Sequence, residues 1–153
     1  MNKSPLFKEV TIGAEIPALE KNPTPRQLVM YAGASGDYNP IHYDRDAAAA
    51  KGLPGIVVHG QLVSACLMQM LTDWLGAAGT LQKFAVSYKA MTFPGERLLC
   101  RGIIAKKSEL GDGIVTLSIW AENPRGEKTV AGTAVVGLPM RLVEAGESTP
   151  PSP

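Results

Sequence analysis

The spacing of hydrophobic and polar positions changes once along this chain. Before Gly79 the apolar residues recur at helical intervals or gather in short runs; beyond it they alternate, as in strands. Phe7–Ile16 mixes apolar and polar residues loosely and predicts a short edge strand, after which Pro17 and Pro23 interrupt regular structure. Thr24-Pro25-Arg26-Gln27 predicts a helix start, with Thr24 as the cap, Pro25 at the first helical position and Gln27 closing a capping box. That helix should turn Leu28, Tyr31 and Ala32 inward and stop near Gly33–Gly36. A second, short helix should run from an Asp44 cap through Ala47–Ala50 to Gly52. Pro54–Val58 leads into His59-Gly60, where a third helix should begin and continue to Leu75, with Gly76 as its stop. Its apolar residues, from Leu62 to Leu75, lie on nearly every side, which suits a helix enclosed by protein.

In the second half, Phe84, Val86 and Tyr88 alternate with Lys83, Ser87 and Lys89. Arg97–Lys106, Ile114–Ala121 and Glu127–Val136 follow as further strands, after turns at Phe93-Pro94-Gly95, Gly111-Asp112-Gly113 and Asn123-Pro124-Arg125-Gly126; the last two suggest hairpins and an antiparallel meander. Helices followed by strands mean an α+β fold. The expectation is a strongly curved antiparallel sheet holding the Gly60–Leu75 helix in its concavity.

Composition narrows the class. A chain of 153 residues suits one domain, expected over residues 1–146, with a Ser/Thr/Pro-rich disordered tail at 147–153. Lys and Arg number 15 against 14 Asp and Glu, which argues against a nucleic-acid binder or a polybasic membrane-surface protein. Two scattered cysteines, Cys66 and Cys100, form no disulfide scaffold and suit the reduced interior of a cytoplasmic protein. No apolar leader follows Met1, and the uncharged helical stretch Gly60–Thr72 is shorter than the ~20 residues of a membrane span.

Candidate chemistry concentrates between Asp37 and His59, a window that holds both histidines of the chain, His42 and His59. Asn39 precedes Pro40 and is biased to extended backbone, so Asp37-Tyr38-Asn39-Pro40-Ile41-His42 should be a loop. Asp37 and His42 could converge on one water for general acid–base work. They could equally cap a turn and bond a backbone carbonyl. Gly60 should open the third helix, where its N–H and the helix dipole could meet a developing oxyanion. The plainer reading is a tight helix entry beside a core histidine. The spacing of His42, Asp44 and His59 matches no zinc pattern. A Cys66–His59 nucleophile would suffer from the apolar run around Cys66.

Tyr31-Ala32-Gly33-Ala34-Ser35-Gly36-Asp37-Tyr38-Asn39-Pro40-Ile41-His42-Tyr43-Asp44, followed by Gly55-Ile56-Val57-Val58-His59-Gly60, resembles the MaoC-like (R)-specific enoyl-CoA hydratase and 3-hydroxyacyl thioester dehydratase family. The likeness continues through Tyr88–Glu96 and covers roughly residues 7–140. It implies a hot-dog fold with its site at a dimer interface. It also implies an acyl-CoA or acyl carrier protein thioester as substrate, and neither a metal nor a redox cofactor. By position, Asp37 and His42 are similar to the family's acid–base pair and Asn39 to the residue that orients the loop. Gly60 is similar to the backbone donor to the thioester carbonyl, with His59 beside the substrate. Some members carry a serine further along the buried helix, where this chain has Leu67-Met68-Gln69-Met70; the nearest serine is Ser64, so carbonyl polarisation would rest on Gly60 alone. A hot-dog thioesterase and a non-catalytic, acyl-CoA-binding subunit of a heteromeric hydratase are the alternatives.

Overall fold

The computed structural model describes residues 4–141, so the expected tail at 147–153 lies outside the described residues. Strand β1 (Leu19–Lys21) is followed by helices α1 (Pro25–Ser35), α2 (Arg45–Ala50) and α3 (Gly60–Leu75). Strands β2 (Thr80–Tyr88), β3 (Leu98–Lys107), β4 (Ile114–Glu122) and β5 (Lys128–Gly137) complete the order. The sheet is antiparallel throughout, in the spatial order β1-β3-β4-β5-β2. This is the hot-dog arrangement: a five-stranded sheet packed on one long helix. No helix among the described residues is long and apolar enough to cross a membrane.

The helix starts follow local chemistry. Thr24 caps α1 by accepting from the Gln27 N–H, and the Gln27 side chain accepts from the Thr24 N–H at 2.9 Å. Asp44 caps α2 by accepting from the N–H groups of Asp46 and Ala47. Helix α3 buries Val63, Ser64, Cys66, Leu67, Met70, Leu71 and Leu75 against the sheet. The sheet answers with alternate residues of its central strands: Leu98, Cys100 and Ile104 from β3, Val115, Leu117, Ile119 and Ala121 from β4, and Val130, Ala134 and Val136 from β5. Each large aliphatic side chain so buried contributes about 1.5–3 kcal/mol, and this interface is the chain's core.

Three expectations need correction. Phe7–Ile16 is not a strand: Phe7–Glu9 forms a 3-10 turn whose Leu6 N–H is taken by the Glu9 carboxylate, and only Glu15 bridges to Ile103. The edge strand is instead Leu19–Lys21, held by Leu98–Cys100 of β3. The strands are also not one meander. β3, β4 and β5 form one, but β2 pairs with β5, so Lys89–Arg97 carries the chain from edge strand β2 past β5 and β4 to β3. Finally, α3 is not enclosed on every side. Gln61, Met68, Gln69, Thr72 and Asp73 are exposed, because the sheet covers only one side of the helix.

Candidate active site

The Asp37–His42 loop is built from its own polar atoms. Gly36 ends α1 at φ 76°, a left-handed conformation that suits glycine, and its N–H bonds Ala32. Asp37 Oδ1 then accepts from the Asn39 N–H at 3.2 Å, and Asn39 Oδ1 from the Ile41 N–H at 3.4 Å. Pro40–His42 is a 3-10 turn started by that Asn39 cap. The loop is tied to the segment before α3, where the Val57 N–H donates to the Ile41 carbonyl at 3.1 Å.

His42 is buried and points back into the loop. Its Nδ1 lies 2.8 Å from the Val57 carbonyl, which can only accept, so Nδ1 carries the hydrogen. In the neutral ring the lone pair then sits on Nε2, which faces Asp37 Oδ2 across 3.7 Å. That gap is too long for a direct hydrogen bond and lets both atoms contact one small guest. The Asp37 side chain is 43 % exposed, so the pair opens to solvent on the carboxylate side.

His59 lies behind His42. The two rings stack with centroids 3.7 Å apart and planes 19° from parallel, and Tyr31 meets His59 edge-on at 5.0 Å. His59 Nε2 is 3.3 Å from the Asp37 carbonyl and donates to it, leaving Nδ1 buried without a partner. Burial, then the charge His42 would carry, pushes the His59 pKa below its ordinary value. With 1 % exposure, His59 lies beneath the loop, behind His42, rather than at its open surface.

Asp37, His42 and His59 each offer a ligand atom within 4.8 Å of the others, yet they fit a metal poorly. Lone pairs of two stacked, near-parallel rings point along separate planes, whereas a metal needs them to converge at about 2.0–2.1 Å. The Cys66 thiol is buried in the core and burial pushes its pKa up, against a nucleophilic role.

Gly60 is the first residue of α3, next to this cluster, and its N–H precedes the first intrahelical bond. A cavity of about 240 Å³ adjoins it, with apolar walls that include Ile41, Leu53, Val57, Val63 and Met91. Thr92 also lines it, with a buried hydroxyl that has no partner. Asn39 turns its side-chain oxygen to its own loop. The structure thus brings Asp37, His42, His59 and Gly60 together and adds Tyr31, Ser64, Tyr88 and Thr92. Of these four the sequence singles out only Ser64, as the serine nearest the Leu67–Met70 stretch; the value of the others comes from contacts between distant segments.

Comparison with known proteins agrees with this architecture. The family profile "MaoC like domain" matches residues 3–120. The fatty acid synthase beta subunit TOXC of Cochliobolus carbonum is 32% identical over 115 residues, 72% of this chain, which spans only 5% of that relative's length. The 3-oxo-4,17-pregnadiene-20-carboxyl-CoA hydratase beta subunit of Mycobacterium tuberculosis is 28% identical over 137 residues, 85% of this chain and 96% of that one. The (R)-specific enoyl-CoA hydratase of Aeromonas caviae is 28% identical over 114 residues, 74% of this chain and 84% of the relative. The solved (R)-hydratase from A. caviae matches at a TM-score of 0.80 with 26% identity, covering 86% of this chain and 99% of that one. The sheet around one helix, the loop carrying Asp37 and His42, and a profile match over most of the length lead to one conclusion: the chain belongs to the MaoC-like family of hydratases and dehydratases.

Proposed function

We propose that the chain adds water to trans-2-enoyl-CoA to give (R)-3-hydroxyacyl-CoA, or runs the reverse dehydration. The observation that carries this reading is the locked His42 ring. With Nδ1–H spent on the Val57 carbonyl, Nε2 and Asp37 Oδ2 are two acceptors 3.7 Å apart. One water can give a hydrogen to each, which turns its oxygen lone pairs toward the substrate.

The chemistry then follows from charge. Attack of the water oxygen on C3 moves electrons through C2 to the thioester oxygen. The Gly60 N–H, at the positive end of α3, stabilises that oxyanion. The Asp37–His42 pair takes one proton from the water as the C3–O bond forms and returns a proton to C2, so the pair ends as it began. Delivery of both parts from one side, by one pair, fixes the stereochemistry. The apolar cavity beside Gly60, of about 240 Å³, suits the acyl group. Asn39 serves the loop through its cap. No metal or redox cofactor enters this scheme.

We further propose a homodimer, formed through the outer edge of β2, which ends the sheet order without a second neighbour among the described residues. A cytoplasmic location and a single domain reaching residue 146 belong to the same reading. A second reading is a subunit of a heteromeric hydratase, supported by the M. tuberculosis relative, which is named a beta subunit. The test is the purified chain alone, given enoyl-CoAs of rising length. Loss of the conjugated enoyl absorbance, an (R)-configured product and no free thiol are expected. Turnover only after a partner chain is added supports the subunit reading, and release of free CoA supports a thioesterase.

A further inference from the structure

Three groups meet at the first turn of α3, and the scheme above uses only one of them. Tyr88, the last residue of β2, lays its ring against Gly60, where a Cβ would meet Cε1 at 2.8 Å and Cδ1 at 2.9 Å. Its hydroxyl lies 3.1 Å from Ser64 Oγ, and Ser64 Oγ lies 3.3 Å from the Gly60 carbonyl. Ser64 is buried, whereas Tyr88 is 54 % exposed and lines the apolar cavity together with Gly60. Further along the helix, the exposed position Met68 offers no hydroxyl.

The hydrogens decide what this pair can do. Tyr88 and Ser64 bring two hydroxyl hydrogens to three oxygens: their own two and the Gly60 carbonyl. When Ser64 donates to the Gly60 carbonyl, Tyr88 donates to Ser64. When the Ser64 hydrogen turns to Tyr88 instead, the Gly60 carbonyl keeps its helical partner, the N–H four residues on. The Tyr88 hydrogen is then free to meet an incoming acceptor. The exchange is a rotation of hydroxyls and breaks no covalent bond. An oxyanion beside the Gly60 N–H has further lone pairs, and one backbone donor leaves them unmet.

We propose that Tyr88 is a second catalytic donor to the thioester oxygen, acting beside the Gly60 N–H, and that Ser64 is the positioning residue that turns the Tyr88 hydrogen toward it. This rests on the hydratase reading. Tyr88→Phe keeps the ring on Gly60 and removes only the hydroxyl, so the fold should be retained. Hydration of crotonyl-CoA by this variant should lose on the order of 10²-fold in kcat with KM changed little. Ser64→Ala should lose less, and the double variant should be no slower than Tyr88→Phe, because Ser64 acts through Tyr88.

A spectroscopic readout separates this from a structural role. A conjugated dienoyl-CoA bound to the slow Asp37→Asn variant should absorb further to the red than when free, as its carbonyl is polarised. Adding Tyr88→Phe should reduce that shift while binding persists. An unchanged shift, or wild-type kcat in Tyr88→Phe, overturns the proposal while leaving the hydratase reading intact. A wild-type protein that hydrates no enoyl-CoA overturns both.

Discussion

Replacing His59 tests how the Asp37–His42 loop is held. In His59→Phe a ring of similar shape remains between His42 and Tyr31, so the stack at 3.7 Å and the edge contact at 5.0 Å can persist. Two polar terms change. The long 3.3 Å bond to the Asp37 carbonyl disappears, worth about 0.5–1.5 kcal/mol. The buried Nδ1 without a partner also disappears, and relief of its desolvation returns about 1–3 kcal/mol. Stability should therefore stay level or rise by about 1 kcal/mol, measured by urea unfolding. Activity should move the other way. With its carbonyl untethered Asp37 can drift, and a misplacement of about 1 Å costs on the order of 10² in kcat. His59→Ala should lose activity and also about 3 kcal/mol of stability, since it leaves a cavity where a ring was.

Acidity adds a second check on the same variant. The His59 pKa is lowered in the folded chain, so the unfolded chain binds the proton more readily. That contribution is complete above the unfolded value of about 6.5 and is lost as pH falls from there toward the folded value. Wild type should thus lose more stability between pH 7 and pH 5 than His59→Phe. Wild-type kcat in His59→Phe would refute the bracing role. A rise in KM alone would place His59 at the substrate.

Other outcomes follow from single contacts. Thr92→Val should stabilise the protein by about 1 kcal/mol in thermal or urea unfolding, because a buried hydroxyl without a partner is removed and the shape is kept. Gly60→Ala puts a Cβ within 2.9 Å of the Tyr88 ring; the exposed ring can swing away, so the fold should survive while kcat drops at least about tenfold. Burial raises the Cys66 thiol and lifts Cys100 to about 12, so native protein at pH 8 should resist iodoacetamide and be labelled only after unfolding.

Local chemistry was legible in the sequence wherever it suffices to set structure. The Thr24–Gln27 box, the Asp44 cap and the start of α3 at Gly60 each depend on residues a few places apart, and each stands as read. Strand β1 was illegible because Leu19–Lys21 is too short to show a period and is made a strand by Leu98–Cys100, far along the chain. The same holds for β2, which passes over its sequence neighbour β3 to pair with β5. In the loop, one His42 ring nitrogen bonds a carbonyl, as the plainer reading expects, and that bond aims the other at Asp37. The burial of His59 is not legible in the sequence, because only packing against His42 and Tyr31 reveals that it is inside. The Ser64–Tyr88 pair spans two elements, and no spacing rule joins them.

The central claim is that Asp37 and His42 jointly activate one water. Its most direct test is kcat/KM for crotonyl-CoA hydration in Asp37→Asn, His42→Gln and the double variant, with folding verified by unfolding curves. Each single change should cost on the order of 10²–10⁴, and the double should be no worse than the slower single, because the two groups serve one water. Near wild-type turnover in either single variant, or losses that multiply in the double, would contradict the account.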